Sequence, residues 1–192
     1  MSGSTAPDLV TALSDAQQLG FLGARPIAEV VDHARGFVRV LEAHGPIETV
    51  LDLGAGGGVP GLVIAHDRPD LHVTLLDRRA KRTDFLERVV RRLGWSDRIA
   101  VVCADVEAFR PDNRFDAVTA RGFGPPGVTL SAATRFVRVG GPMVISEPPG
   151  VDRWDDALLT RLGVRRVSDP RPADPSESST DLDGLVAVFV IA

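Results

Sequence analysis

Cysteine is almost absent. The chain of 192 residues holds one, Cys103, which excludes an internal disulfide and a thiolate zinc cage. Its four histidines lack metal-ligand spacing, so no metal site is expected. No apolar run approaches the roughly 18–20 residues that a membrane span requires. The first ten residues have no basic flank ahead of an apolar stretch, so no secretion signal is read there and a cytoplasmic location is the expectation. Nor is there an excess of positive charge. The formal net charge is −4, which argues against a general nucleic-acid binder held by phosphate neutralisation. One stretch runs against that balance. Arg78, Arg79, Lys81, Arg82, Arg88, Arg91 and Arg92 stand together against only Asp84 and Glu87. That stretch is either a solvated helix face or a patch facing RNA.

What is present is ordinary for a globular chain: 44% hydrophobic and 25% charged residues, in a length that suits one domain with a small appendage. A short helix is expected around Val10 to Leu19. Over 27–43, Ile27, Val30, Val31, Ala34, Val38 and Leu41 recur at three- and four-residue spacings, which predicts an amphipathic helix ended by His44-Gly45-Pro46. Short apolar runs then alternate with helical stretches. Strands are predicted at Thr49 to Leu53, His72 to Leu76, Ile99 to Cys103, Phe115 to Ala120 and Met143 to Ser146. Helices are predicted from Pro60, over Ala80 to Leu93, and over Leu130 to Phe136. Such alternation implies βαβ units and a mostly parallel sheet. Val164 to Val167 and Leu185 to Ile191 read as two last strands. The Pro-, Ser- and Asp-rich run from Asp169 to Asp183 between them reads as a loop, which suits an antiparallel edge. The expected architecture is α/β, a seven-stranded Rossmann-like sheet with an antiparallel last strand. Residues 1–46 would form an N-terminal helical extension and 47–192 the ligand-binding domain.

The most informative segment runs from Val50 to Gly61, VLDLGAGGGVPG. An apolar strand ends on Asp52, and Gly54, Gly56, Gly57 and Gly58 follow. Pro60 is placed to open a helix. Glycines permit a sharp turn and close approach of the backbone to a ligand, and the helix beyond offers unpaired N–H groups. The spacing Gly56-x-Gly58-x-x-Gly61 formally matches a dinucleotide fingerprint. A carboxylate at position 52 would repel a pyrophosphate and suits a ligand carrying an ammonium group; a purely structural glycine turn stays open. Asp77, closing the second strand about 20 residues on, is placed to accept hydrogen bonds from ribose hydroxyls. Asp105 and Glu107, after the third strand, would reach an adenine edge. Arg121, after the fourth strand, would project beyond the carboxyl end of the sheet, toward a carboxylate, a phosphate or a base, unless it pairs with Asp52.

Together these segments resemble the RsmG (GidB) family. The resemblance covers roughly Val50 to Glu147 and rests on Asp52-x-Gly-x-Gly-x-Gly-x-Pro-Gly61, Leu76-Asp-x-x-x-Lys81-Arg-x-x-Phe-Leu86, Val106-Glu107-x-Phe109 and Phe115-Asp-x-Val-Thr-Ala-Arg121. It implies a methyltransferase that uses S-adenosyl-L-methionine to methylate N7 of a guanine in small-subunit ribosomal RNA. It implies cofactor contacts at Gly54, Ala55, Gly56, Asp77, Val106 and Glu107; from their places in the sequence, Asp52, Gly58, Pro60, Arg78, Asp105 and Arg121 are further candidates for the cofactor site. The resemblance places Arg121 in the active site and Lys81 and Arg82 near the cofactor or the RNA; Glu147, after the fifth strand, is a further candidate to face the acceptor. After the fifth strand the family tends to show Leu-Lys-Gly, where this chain has Ser146-Glu147-Pro148. Two other readings accompany this one, a methyltransferase for a small molecule and a protein that binds the cofactor without turnover. A nicotinamide oxidoreductase is disfavoured by Asp52.

Overall fold

The computed structural model describes residues 9–148, 153–167 and 186–191. Two helices come first, α1 (Leu9–Gln18) and α2 (Ile27–Ala43). Then β1 (Thr49–Leu53), α3 (Gly61–Asp67), β2 (His72–Asp77), α4 (Ala80–Arg92) and β3 (Ile99–Cys103) alternate. The second half comprises β4 (Ala117–Ala120), α5 (Pro126–Phe136), β5 (Met143–Ser146), α6 (Asp156–Leu162), β6 (Val164–Val167) and β7 (Val186–Ile191). The seven strands form one sheet in the order β3-β2-β1-β4-β5-β7-β6. Strands β1 to β5 are parallel, and β7 runs antiparallel to both neighbours, β5 and β6.

The period-two alternation of strand side chains sorts the core into two layers. Val50, Val73, Leu75, Val144 and Val188 point to one face, where α1, α2, α3 and α4 deliver Leu13, Phe37, Leu41, Leu62 and Leu86. Leu51, Leu53, Val118, Met143, Ile145 and Phe189 point to the other, against Leu130, Ala133 and Phe136 of α5 and the indole of Trp154. Burial on both faces explains why β1 and β4 are mostly apolar, with Asp52 and Thr119 as buried polar residues within them. Helices α1 and α2 share the first layer with β1 and β2.

Three features differ from the sequence expectation. Strand β4 begins at Ala117, because Phe115 bridges to Val137 and the Asp116 carboxylate accepts the backbone N–H groups of Glu48 and Thr49. Helix α5 begins at Pro126, where proline fills the first turn and the Thr129 hydroxyl donates to the Gly124 and Pro125 carbonyls. Helix α6 was not expected. Its start is capped by the Asp155 carboxylate, which accepts the Ala157 N–H, and its end is set by Gly163 at φ 62°. The link 104–116 between β3 and β4 carries no helix; Phe109 secures it against Phe136, ring centroids 5.4 Å apart. The expected Asp169–Asp183 loop lies outside the described residues. Among the described residues no helix is long and apolar enough to cross a membrane.

The largest fully buried side chain of the second layer is Phe189. It is 0% exposed, meets the Trp154 ring edge-on at 4.5 Å and lies on the strand inserted between β5 and β6. Replacement by alanine leaves a cavity that β5 and β6 cannot both close. Phe189→Ala is expected to lower unfolding free energy by about 3–5 kcal/mol in denaturant titration.

Candidate functional site

The sheet switches direction between β1 and β4, and the loops beyond the carboxyl ends of these strands build the site. The glycine loop leaving β1 is strapped to the end of β2. Ala55 N–H donates to the Leu76 carbonyl at 2.9 Å, and Gly56 N–H donates to Asp77 Oδ2 at 3.0 Å. Gly54 turns at φ 69°, and a Cβ there would stand 2.9 Å from Phe123 Cδ2. At Gly58, φ 95°, a Cβ would collide with Leu62. These two positions have no room for a side chain, so the loop lies flat on its own support.

Asp77 is 5% exposed and still borders open space. Its Oδ1 accepts the Arg79 N–H at 2.9 Å, and its Oδ2 is touched by Arg82 Nη1 at a long 3.5 Å. Two backbone donors thus fix the carboxylate's orientation and leave acceptor capacity facing a cleft of about 400 Å³. Gly54, Arg78, Arg82, Asp105, Val106 and Glu107 line the same cleft, and Phe123 and Val128 form its apolar wall. The turn after β3 is held by Asp105 Oδ1, which accepts the Glu107 N–H at 2.9 Å, and by a Glu107–Arg135 ion pair at 2.7 Å.

Asp52 stands beneath this cleft and outside its lining. It is 0% exposed, and both oxygens are engaged: Oδ2 accepts the Gly61 N–H at 3.0 Å and Oδ1 the Thr119 hydroxyl at 2.9 Å. Burial pushes its pKa up to about 7, against the lowering effect of those two hydrogen bonds and of the Arg121 charge. Asp52 therefore ties the first turn of α3 to β1 and β4, a different task from meeting an ammonium group. Arg121 forms no ion pair with it within 4 Å.

A second cleft of about 390 Å³ opens on the other side of the 122–124 segment, which borders both. Arg121 and Glu147 line it, with Arg25, His33, Thr129 and Arg153. Burial lowers the Arg121 pKa, and repulsion from Arg25 adds to the effect. Of the residues singled out from sequence, the structure gathers Gly54, Asp77, Arg78, Arg82, Asp105, Val106 and Glu107 in the first cleft, and Arg121 and Glu147 in the second. Ala55, Gly56, Gly58 and Pro60 form the buried support of the first, and Lys81 points outward from α4. Sequence reasoning missed Phe123 and Val128, and on the far side Arg25 and Arg153. For Phe123 a signal existed, an aromatic flanked by glycines in Gly122-Phe-Gly124. Arg25 and Arg153 carried none, since they come together only through the fold.

This sheet order, with the glycine loop after β1 and an acid closing β2, defines the class I fold of S-adenosylmethionine-dependent methyltransferases. Solved structures agree on the fold: a methyltransferase from Geobacter sulfurreducens in complex with S-adenosyl-L-homocysteine matches with a TM-score of 0.56 at 22% identity, over 72% of this chain and 66% of that one. The mitomycin 7-O-methyltransferase MmcR matches with a TM-score of 0.63 at 14% identity, over 100% of this chain and 62% of that one. The chain belongs to the GidB family, rRNA small subunit methyltransferase G, whose model matches residues 11–147. The ribosomal RNA small subunit methyltransferase G of a Nocardioides species is 44% identical over 157 residues, 81% of this chain and 56% of the relative. That of Chromobacterium violaceum is 49% identical over 115 residues, 60% of this chain and 54% of the relative. The chain thus spans a little over half the length of these relatives.

The buried Asp52 makes stability depend on pH. Its pKa is about 7 in the folded chain against an ordinary value of 3.8. The folded state therefore holds a proton that the unfolded state releases. This contribution is fully present below pH 3.8 and is lost as pH rises toward 7, by about 1.4 kcal/mol per pH unit within that window. In Asp52→Asn the group cannot ionise. The stability difference between wild type and variant, measured by denaturant titration from pH 4 to 8, should shift against the wild type by on the order of 4 kcal/mol. A flat difference would contradict the assigned protonation.

Proposed function

We propose that the chain is an S-adenosylmethionine-dependent methyltransferase acting on N7 of a guanine in small-subunit ribosomal RNA, in the cytoplasm. The observation that carries the cofactor reading is the oriented Asp77 carboxylate with acceptor capacity left toward a cleft of about 400 Å³. That volume falls in the range of small-molecule sites, roughly 300–1,000 Å³. Family membership supports the acceptor reading.

The residues fit the cofactor. Asp77 would take the ribose hydroxyls, displacing the weak Arg82 contact. The missing side chain at Gly54 lets the backbone come close, and the turn at Asp105, Val106 and Glu107 would face the adenine, with Val106 against its plane. When bound, S-adenosylmethionine supplies an activated methyl group on a sulfonium. N7 of guanine already presents its lone pair, so this chain needs no strong base; it must align acceptor and donor and keep water out. Gly122, Phe123 and Gly124 line both clefts, so the cofactor and acceptor sites would adjoin at that segment. Arg121, half-buried beside it, would fix the acceptor by charge and by its planar face.

Calorimetric titration with S-adenosyl-L-methionine, S-adenosyl-L-homocysteine and NADH tests the cofactor. The adenosyl ligands are expected to bind and NADH is not. Asp77→Ala should weaken adenosyl binding by about a hundredfold, the loss expected for two hydrogen bonds to a charged acceptor. Methyl transfer to ribosomal RNA lacking the modification tests the acceptor. Adenosyl binding without transfer to that RNA would favour a small-molecule acceptor or a non-catalytic binder.

A further inference from the structure

Three guanidinium groups reach the second cleft from separate parts of the chain. Arg25 comes from the link between α1 and α2, Arg121 from the end of β4, and Arg153 from just ahead of α6. Like charges repel, and gathering them costs free energy unless an anion joins them. Among the described residues the one carboxylate lining this cleft is Glu147, and its side chain, 7% exposed, is already committed. Glu147 Oε1 accepts the Trp154 indole N–H at 2.8 Å and an Arg153 N–H at 3.4 Å. Arg153 Nη2 also donates to the Ser146 carbonyl at 2.6 Å, and its guanidinium lies 5.7 Å from the Trp154 ring centroid.

Glu147 and Trp154 thus hold Arg153 by one edge, and the rest of the guanidinium stays available. Arg153 Nε and Arg121 Nη1 are buried donors with no hydrogen-bond partner among the described residues. Buried charged donors in a native structure call for an acceptor. The fork geometry of arginine favours a phosphate. A phosphodiester offers oxygens on more than one side to several guanidinium groups, and an RNA strand presents one at every nucleotide.

We propose that Arg25, Arg121 and Arg153 grip a backbone phosphate of the acceptor RNA next to the methylated base, and that Glu147 is the positioning residue that aims Arg153. This rests on the methyltransferase reading above. It gives the acidic residue a place in a cleft that binds a polyanion.

The test uses the full chain and a fluorescent single-stranded RNA of about ten nucleotides containing guanine, followed by anisotropy across a salt series. The same proteins are titrated with S-adenosyl-L-homocysteine. Arg153→Gln is expected to weaken RNA binding about five- to tenfold and to flatten the slope of log affinity against log salt by about 0.7, one phosphate contact on a single strand. Arg153→Lys should restore most of both, and Glu147→Gln should move both in the same direction as Arg153→Gln by a smaller amount. Arg165→Gln, an exposed charge-matched control on β6, should change neither. S-adenosyl-L-homocysteine affinity should stay within twofold in every variant, which also certifies folding. The proposal is overturned if Arg153→Gln and Arg165→Gln lose RNA affinity equally, if Arg153→Gln loses the adenosyl ligand instead, or if the wild-type chain binds that ligand but no RNA. Failure of the wild type to bind the adenosyl ligand would bring down the methyltransferase reading itself.

Discussion

Two carboxylates at the ends of adjacent strands hold this site in shape. Asp52 on β1 receives the Gly61 N–H, and Asp77 on β2 receives the Gly56 N–H, each at 3.0 Å. Between them the glycine loop is pinned at two points, and the Ala55–Leu76 backbone bond adds a third. The two acids differ in what remains of them. Asp52 has spent both oxygens internally and is wholly buried, so it serves the scaffold. Asp77 is oriented by backbone donors and still borders the cleft, so it keeps acceptor capacity there. An acid that has lost its solvent and an acid that keeps a cleft edge are left with different capacities, although both stand near the carboxyl ends of adjacent strands.

This difference marks the limit of what could be read from residues alone. That Asp52 closes a buried strand was legible from Val50-Leu-Asp-Leu53. That its side chain turns under the loop was not, because the direction of a side chain at a strand end depends on the helix packed behind it. Here that is Gly61, where a Cβ would come within 2.7 Å of Asp52 Oδ2. The strands from β1 to β5 and the helices α2 and α4 were legible because each buries one periodic face or two. Helix α6 buries no residue fully, so it left no periodic signal, and only its Asp155 cap and Gly163 stop were there to be seen. Phe115 and Asp116 extended the apparent fourth strand because an apolar residue followed by a clamp looks locally like more strand.

The N-terminal helices bear on the site more than an appendage would. Phe21 meets Phe85 of α4 edge-on at 5.6 Å, and the Arg82 guanidinium lies 5.9 Å from the Phe21 ring centroid. A Cβ on Gly57 would come within 2.6 Å of Leu22. The link between α1 and α2 therefore packs directly on the glycine loop and sends Arg25 to the rim of the second cleft. Sequence reading set these residues apart from the sheet because the helical period stops well before β1. Packing joins them to it, and one short link contributes both to the support of the first cleft and to the charge of the second.

Charge is arranged at the same scale. A chain with a formal net charge of −4 can still meet a polyanion if its cations converge where its acids are spoken for. Asp52 is buried and raised toward neutrality, Asp77 is wrapped by N–H donors, Glu107 pairs with Arg135, and Glu147 is held by Trp154 and Arg153. Each acid near the two clefts has a partner inside the protein, whereas Arg25 has no acidic partner within 4 Å among the described residues and Arg121 keeps a buried donor open. Net charge governs long-range approach, and screening confines it to about a Debye length, roughly 8 Å at physiological salt. Inside the second cleft, the local surplus of guanidinium groups sets the sign of the field, so an acidic protein of this design is compatible with an RNA acceptor.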